Sequence, residues 1–169
     1  MFTDNQGESN MLNLDLKKAQ ELVAECIAEK GEDYVYEKEG SSCKYVHDVT
    51  SAWDNYEEVY ETSFESATPG CIVGAALHKG GIPLEVMGAD NMNDNGSMEL
   101  LKKLAEKGLL TRTEQADNYL SNVQSSQDGG APWGRSAEAA ARGRQLTDEY
   151  DEFGQRTGDF VELEGEPVA

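Results

Sequence analysis

Two cysteine–histidine pairs, Cys43-x3-His47 and Cys71-x6-His78, carry the residue types with most chemistry in this chain. Thiolate and imidazole together can hold zinc or form a nucleophile with its base. Spacing opposes zinc: residues four apart on a strand lie roughly 13 Å apart and residues seven apart on a helix about 10.5 Å, whereas all ligands must sit near 2 Å from one ion. Cys71 falls in the first turn of an expected helix, where the helix dipole favours thiolate. His78 is too far along that helix to serve as its base, so His47 would have to act, and no orienting acid or oxyanion motif accompanies them. The simpler expectation for Cys71 is a small buried residue beside Ile72 and Val73. Asn91-x-Asn93-x-Asn95-Gly96 resembles the start of a calcium loop but carries Lys102 where a bidentate Glu is required. Gly74, Gly80 and Gly81 make no phosphate-binding glycine pattern. Gln124, Gln127, Asp128 and Trp133 form a second cluster, expected to shape a turn and anchor a helix. A ligand pocket, if one forms, is expected from His47, Cys71, Gln127 and Trp133. The residues supply no complete catalytic set, metal site or cofactor signature.

The elements that position these residues follow from periodicity and turn signals. Leu16, Ala19, Leu22, Val23, Cys26 and Ile27 recur at helical spacing before Gly31. Tyr34–Tyr36 and Cys43–Val46, joined by a turn through Lys38 to Ser42, suit a small β-hairpin. Trp53, Tyr56, Tyr60 and Phe64 suit an amphipathic helix within 48–67. Thr68 and Pro69 are expected to open a helix through Leu77, with the nearly uncharged block Gly70 to Gly88 at the centre of the core. A short helical turn follows from Ile82, then a helix from Met98 to Lys107 capped by Ser97, another after a Thr111-x-x-Glu114 capping box with Ala116, Tyr119, Leu120 and Val123 as its stripe, and a last alanine-rich helix from Pro132-Trp133 to about Leu146. The expected fold class is mainly α (α+β): a compact bundle of about five helices with one small hairpin and disordered termini. Residues 1–11 form a disordered arm, 12–146 one globular domain with 48–67 as an acidic aromatic insertion, and 147–169 a flexible acidic tail.

These pieces resemble a family of small uncharacterised proteins of actinobacteria and their phages. The resemblance rests on Asp33-Tyr34-Val35-Tyr36, Cys43-Lys44-Tyr45-Val46-His47, the Cys71-Ile72-Val73-Gly74-x-Ala76-Leu77-His78 block leading into Gly81-Ile82-Pro83-Leu84, and Gln124-x-x-Gln127-Asp128-x-Gly130-x-Pro132-Trp133. It covers roughly residues 13 to 143. It implies that Thr50 to Thr68 is an insertion and that the chain has a phage or actinobacterial origin, and it implies no activity and no catalytic residues.

Charge narrows the function classes. The 169 residues carry 33 acids against 14 Lys and Arg, a net charge of -19. Residues 32–66 hold ten acids against two bases and residues 145–169 eight against one. Such a surface repels phosphate backbones and anionic lipid within ~8–10 Å, disfavouring direct nucleic-acid or membrane binding and favouring basic partners. Three cysteines without CxxC spacing, and a start with neither a basic run nor an apolar core, suit a cytoplasmic protein, in the host cytoplasm if phage-encoded. The expected function is non-enzymatic binding of a host or phage macromolecule, as an inhibitor or modulator. The expected contacts are Trp53, Tyr56, Glu57, Glu58, Tyr60, Glu61 and Phe64, with Tyr150 and Phe153 of the tail. A DNA mimic occupying a basic groove is one alternative; a small ligand-binding domain or enzyme using Cys71, His47, Gln127 and Trp133 is the other.

Overall fold

The computed structural model describes residues 11–38, 43–89 and 91–169. The expected arm over 1–11 lies almost wholly outside them, as does the turn around Gly40.

The first long helix forms as its spacing requires. Helix α1 (Leu16–Lys30) buries Ala19, Leu22, Val23 and Cys26, is capped by Asp15 accepting from Lys18 N–H at 2.8 Å, and ends where Gly31 N–H reaches the Ile27 carbonyl. Helices α2 (Ile72–Lys79), α3 (Leu84–Met87), α4 (Ser97–Glu106), α5 (Glu114–Asp128) and α6 (Trp133–Ala141) follow. Ile72, Val73 and Leu77 of α2, Leu100, Leu101 and Leu104 of α4, and Leu120 and Val123 of α5 share one core with α1. Trp133 seals its edge, ring against ring with Tyr34 at 4.6 Å between centroids. The cap of α5 is Thr113, whose hydroxyl accepts from Ala116 N–H at 3.2 Å, because Thr111 is committed to a strand.

The mainly helical class with one hairpin is not what the chain adopts. It is an α+β fold whose described residues contain eight short strands in four two-stranded sheets. β1 (Leu12–Leu14) runs parallel to β6 (Leu110–Arg112), tying the start of the described chain to the end of α4. β2 (Val46–His47) pairs antiparallel with β5 (Thr68–Pro69) in the register Val46↔Pro69, His47↔Thr68. This replaces two expectations. Tyr34–Tyr36 is not a strand, and Thr68-Pro69 does not begin the helix, which starts at Ile72 with Cys71 as N-cap. Proline, lacking a donor, is tolerated in so short an edge strand.

The expected helix over 48–67 is instead a hairpin of β3 (Thr50–Asp54) and β4 (Val59–Ser63). Asp54 Oδ1 accepts from Tyr56 N–H at 2.8 Å and Glu57 N–H at 3.2 Å, and Glu58 takes a positive φ of 57°, so the chain reverses where a helix would have continued. The C-terminus is not disordered either. β7 (Arg144–Tyr150) and β8 (Arg156–Glu164) form a second hairpin. A buried polar stripe on α5 holds it: Ser126 Oγ accepts from Leu146 N–H at 2.8 Å, Asn122 binds Glu166 N–H and C=O at 2.8 Å each, and Asn118 donates to the Pro167 carbonyl at 2.7 Å.

The segment 43–47 is the keystone. Its backbone lies so close to the start of α2 that a Cβ on Gly74 would stand 2.3 Å from the Tyr45 carbonyl oxygen, and one on Gly70 2.3 Å from that of Lys44. Asn93 clamps it from the other side, Oδ1 accepting from Tyr45 N–H (2.8 Å) and Val46 N–H (3.0 Å) while Nδ2 donates to the Val46 carbonyl (3.0 Å). Gly74→Ala is expected to lower unfolding free energy by roughly 1–3 kcal/mol through overpacking. Asn93→Ala, which strands buried backbone groups, should cost about 3 kcal/mol. Urea denaturation of each variant checks both values, and an unchanged midpoint for Asn93→Ala would contradict the clamp.

Candidate functional site

Three places gather the chemistry-bearing residues: the polar centre beneath segment 43–47, the cleft beside His47, and the two acidic hairpins.

In the polar centre Gln127 Oε1 accepts from Ile72 N–H at 2.7 Å, satisfying an open donor at the start of α2. Its amide nitrogen donates to Asp128 Oδ1 at 2.9 Å, as does Gln124 Nε2 at 3.1 Å. Gln124 Oε1 is buried with no partner among the described residues. Cys43 is half-buried against Asp128, and burial, reinforced by that carboxylate, pushes its thiol up to about 12. Cys71 is fully buried; desolvation drives its thiol up to about 12, although the Gly74 N–H and the Gln124 side chain pull the other way. Burial outweighs the helix-terminus effect, and a protonated, sealed thiol is neither nucleophile nor metal ligand.

Tyr36 binds the same segment from outside. Its hydroxyl accepts from Lys44 N–H at 2.9 Å and lies 2.5 Å from His47 Nε2. His78 is held elsewhere, Nδ1 against the Ile82 carbonyl at 3.1 Å. Of the four residues expected to line one pocket, Cys71 and Gln127 meet at the start of α2, at 0% and 1% exposure. His47 lines a cleft with Lys30, Lys38 and Thr68, and Trp133 lines an adjoining one with Cys26 and Ala75. The four therefore surround the keystone segment without converging on a substrate-sized space. Asn93 and Tyr36, which do most to fix the centre, were absent from the expected site. Their signal in the sequence is slight: an Asn in a turn-rich loop and a Tyr in a short aromatic run.

The β3–β4 hairpin stands apart from the core. Every residue of both strands except Asp54 is exposed. Trp53 and Tyr60 are paired directly across the strands, their rings 5.1 Å apart edge to face, and Ser51 and Thr62 continue that face with hydroxyls 3.3 Å apart. Tyr56 at the tip is 95% exposed. Alternation sends Glu61 and Asp54 to the opposite face, while Glu57 and Glu58 occupy the turn. Phe64 does not belong to the arm's contact surface: it is half-buried at the root, against Gly88. One carboxylate oxygen from each of Asp54, Glu57 and Glu61 lies within 4.8 Å of the others, a spacing that would admit a divalent cation. The Glu57 and Tyr56 amides hold the Asp54 carboxyl below its usual range. In the second hairpin Tyr150 and Phe153 are exposed near the turn, whereas Phe160 is covered by Arg135 at 5.5 Å.

No family model, no curated protein and no solved structure matches this chain.

The thiol environments give a direct check. With pKa values near 12 for Cys43 and Cys71 and about 11 for Cys26, where burial is again the main cause, thiolate is scarce at about pH 8. Ellman's reagent should therefore titrate native protein far more slowly than a free thiol and recover all three cysteines only after denaturation. Rapid labelling of Cys71 in the native state would contradict the sealed centre.

Proposed function

We propose that this protein acts without catalysis, by binding another protein that presents a basic surface, with the β3–β4 hairpin as its recognition arm. The observation that carries this reading is the Trp53–Tyr60 pair on an arm whose strands are exposed along their length. Large aromatics are what binding hot spots use, because they bury much surface for little loss of conformational freedom. An exposed apolar pair on an arm contributes nothing to the core, so a partner that covers it supplies a physical reason for its presence.

The acids complement the aromatics. Glu57, Glu58 and Glu61 on the arm, within a chain of net charge -19, steer basic surfaces toward it and repel nucleic acid. Tyr150 and Phe153 at the tip of the C-terminal hairpin offer a second contact of the same composition. Among the described residues no helix is long and apolar enough to cross a membrane. A cytoplasmic setting, and a phage or actinobacterial origin with a host or phage protein as target, complete the proposal and accord with the motif resemblance.

Immobilised wild-type chain, paired with a chain carrying Trp53→Ala, Tyr56→Ala and Tyr60→Ala, tests it on host lysate. The expected outcome is a basic protein retained by the first and lost by the second, with both chains unfolding at temperatures within a few degrees of each other. Equal retention by both chains contradicts the arm. Release by salt alone, indifferent to the aromatic substitutions, favours a DNA mimic instead.

A further inference from the structure

The cleft beside the keystone has a composition at odds with the rest of the surface. Two adjoining cavities, about 460 and 310 Å³, share Lys30, Thr68, Pro69 and Gly70 as common walls. Each falls within the ~300–1,000 Å³ typical of small-molecule sites. The larger is walled on its inner side by Cys26, Ala75 and Trp133; the smaller is lined by Lys30, Lys38, His47 and Tyr34, with Glu37. One half thus offers apolar surface and the other offers cations.

Those cations are not consumed internally. Lys79, on the rim of the larger cavity, is paired with Glu29 at 2.7 Å, but Lys30 and Lys38 have no carboxylate within ion-pair distance among the described residues. The Lys30 ammonium is held 5.3 Å above the Tyr34 ring. Acids outnumber bases 33 to 14 in this chain, and the recess places these two exposed lysines on one polar wall, where they can meet an anion together. Both histidines of the chain border the same recess, His47 in the polar half and His78 in the apolar half. Trp133, which lines the larger cavity, is fully buried, so its ring is a fixed part of the apolar wall. The partition between the halves is closely packed: a Cβ on Gly70 would stand 2.6 Å from the His47 ring and 2.3 Å from the Lys44 carbonyl oxygen.

We propose that this cleft binds a small amphipathic anion, a carboxylate or phosphate carried on an aromatic or alkyl body. The apolar body lies against Cys26, Ala75 and Trp133, and the anionic head lies between Lys30 and Lys38. This site is independent of the β3–β4 arm and does not require the arm to bind anything.

Phenylbutyrate, its neutral amide and inorganic phosphate are the probes, with Trp133 fluorescence followed in a Trp53→Phe background so that one indole reports. Phenylbutyrate should perturb the fluorescence saturably and bind roughly tenfold more tightly than the amide, the difference expected of one charge-assisted contact. Lys30→Gln combined with Lys38→Gln should abolish that preference, and Ala75→Leu, which narrows the apolar half, should weaken both organic probes. Circular dichroism and thermal unfolding confirm that the exposed lysine variant is folded. The proposal is overturned if phenylbutyrate and its amide bind equally, if neither perturbs Trp133, if the lysine variant keeps the preference, or if phosphate alone binds as tightly as phenylbutyrate.

Discussion

The backbone of residues 43–47 lies against the start of α2 only because Gly70 and Gly74 have no side chains, and most of the structure depends on that contact. A methyl group at Gly74 would occupy the space of the Tyr45 carbonyl and force the two segments apart. Once they are together, each neighbour finds its hydrogen-bond partner. Gly70 and Cys71 donate to the Tyr45 and Lys44 carbonyls at 2.8 and 2.9 Å, Asn93 satisfies Tyr45 and Val46, and Gln127 reaches across to Ile72. Buried backbone groups must be paired, so this short segment draws α2, α5 and the 91–96 loop into one arrangement.

The same contact explains why the motif residues look catalytic in sequence and are not arranged as a catalytic set. Asparagine and glutamine are there because a two-residue strand leaves backbone groups that Asn93 and Gln127 must satisfy, while Cys71 fills buried space and His47 bonds the Tyr36 hydroxyl. Low dielectric strengthens such a network when it is complete, and it keeps both nearby thiols protonated. What remains open to ligands is the edge of the network: the Thr68–Gly70 cleft on one side, and the recess bounded by Cys43, Gln124 and Asp128 on another.

Legibility in the sequence divided along physical lines. Helix α1 was legible because its apolar spacing and Gly31 stop agree with each other, and α6 because Pro132-Trp133 marks its start. The β3–β4 hairpin was not, since Trp53, Tyr56 and Tyr60 fall at helical intervals, yet Trp53 and Tyr60 also face each other across a four-residue turn that carries Tyr56. The Asx turn at Asp54 and the left-handed Glu58 decide between the two, and both are local details that outweigh a short periodicity. The C-terminal hairpin was hidden for another reason. Asn118, Asn122 and Ser126 carry no apolar signal, yet they are buried partners for the backbone of Leu146, Glu166 and Pro167. Their i, i+4 spacing marks one helix face, but polar side chains on such a face do not reveal that distant backbone covers it.

A rigid body built around residues 43–47, with an independently held arm at 50–63, makes residue-resolved hydrogen exchange the most direct measurement. The amides of Tyr45, Val46, Gly70, Cys71 and Ile72 should exchange only through global unfolding, with opening free energies matching that from denaturant. Those within the β3–β4 hairpin should exchange through local opening that leaves the body intact. Exchange at Tyr45 and Val46 as fast as at the hairpin would contradict the keystone.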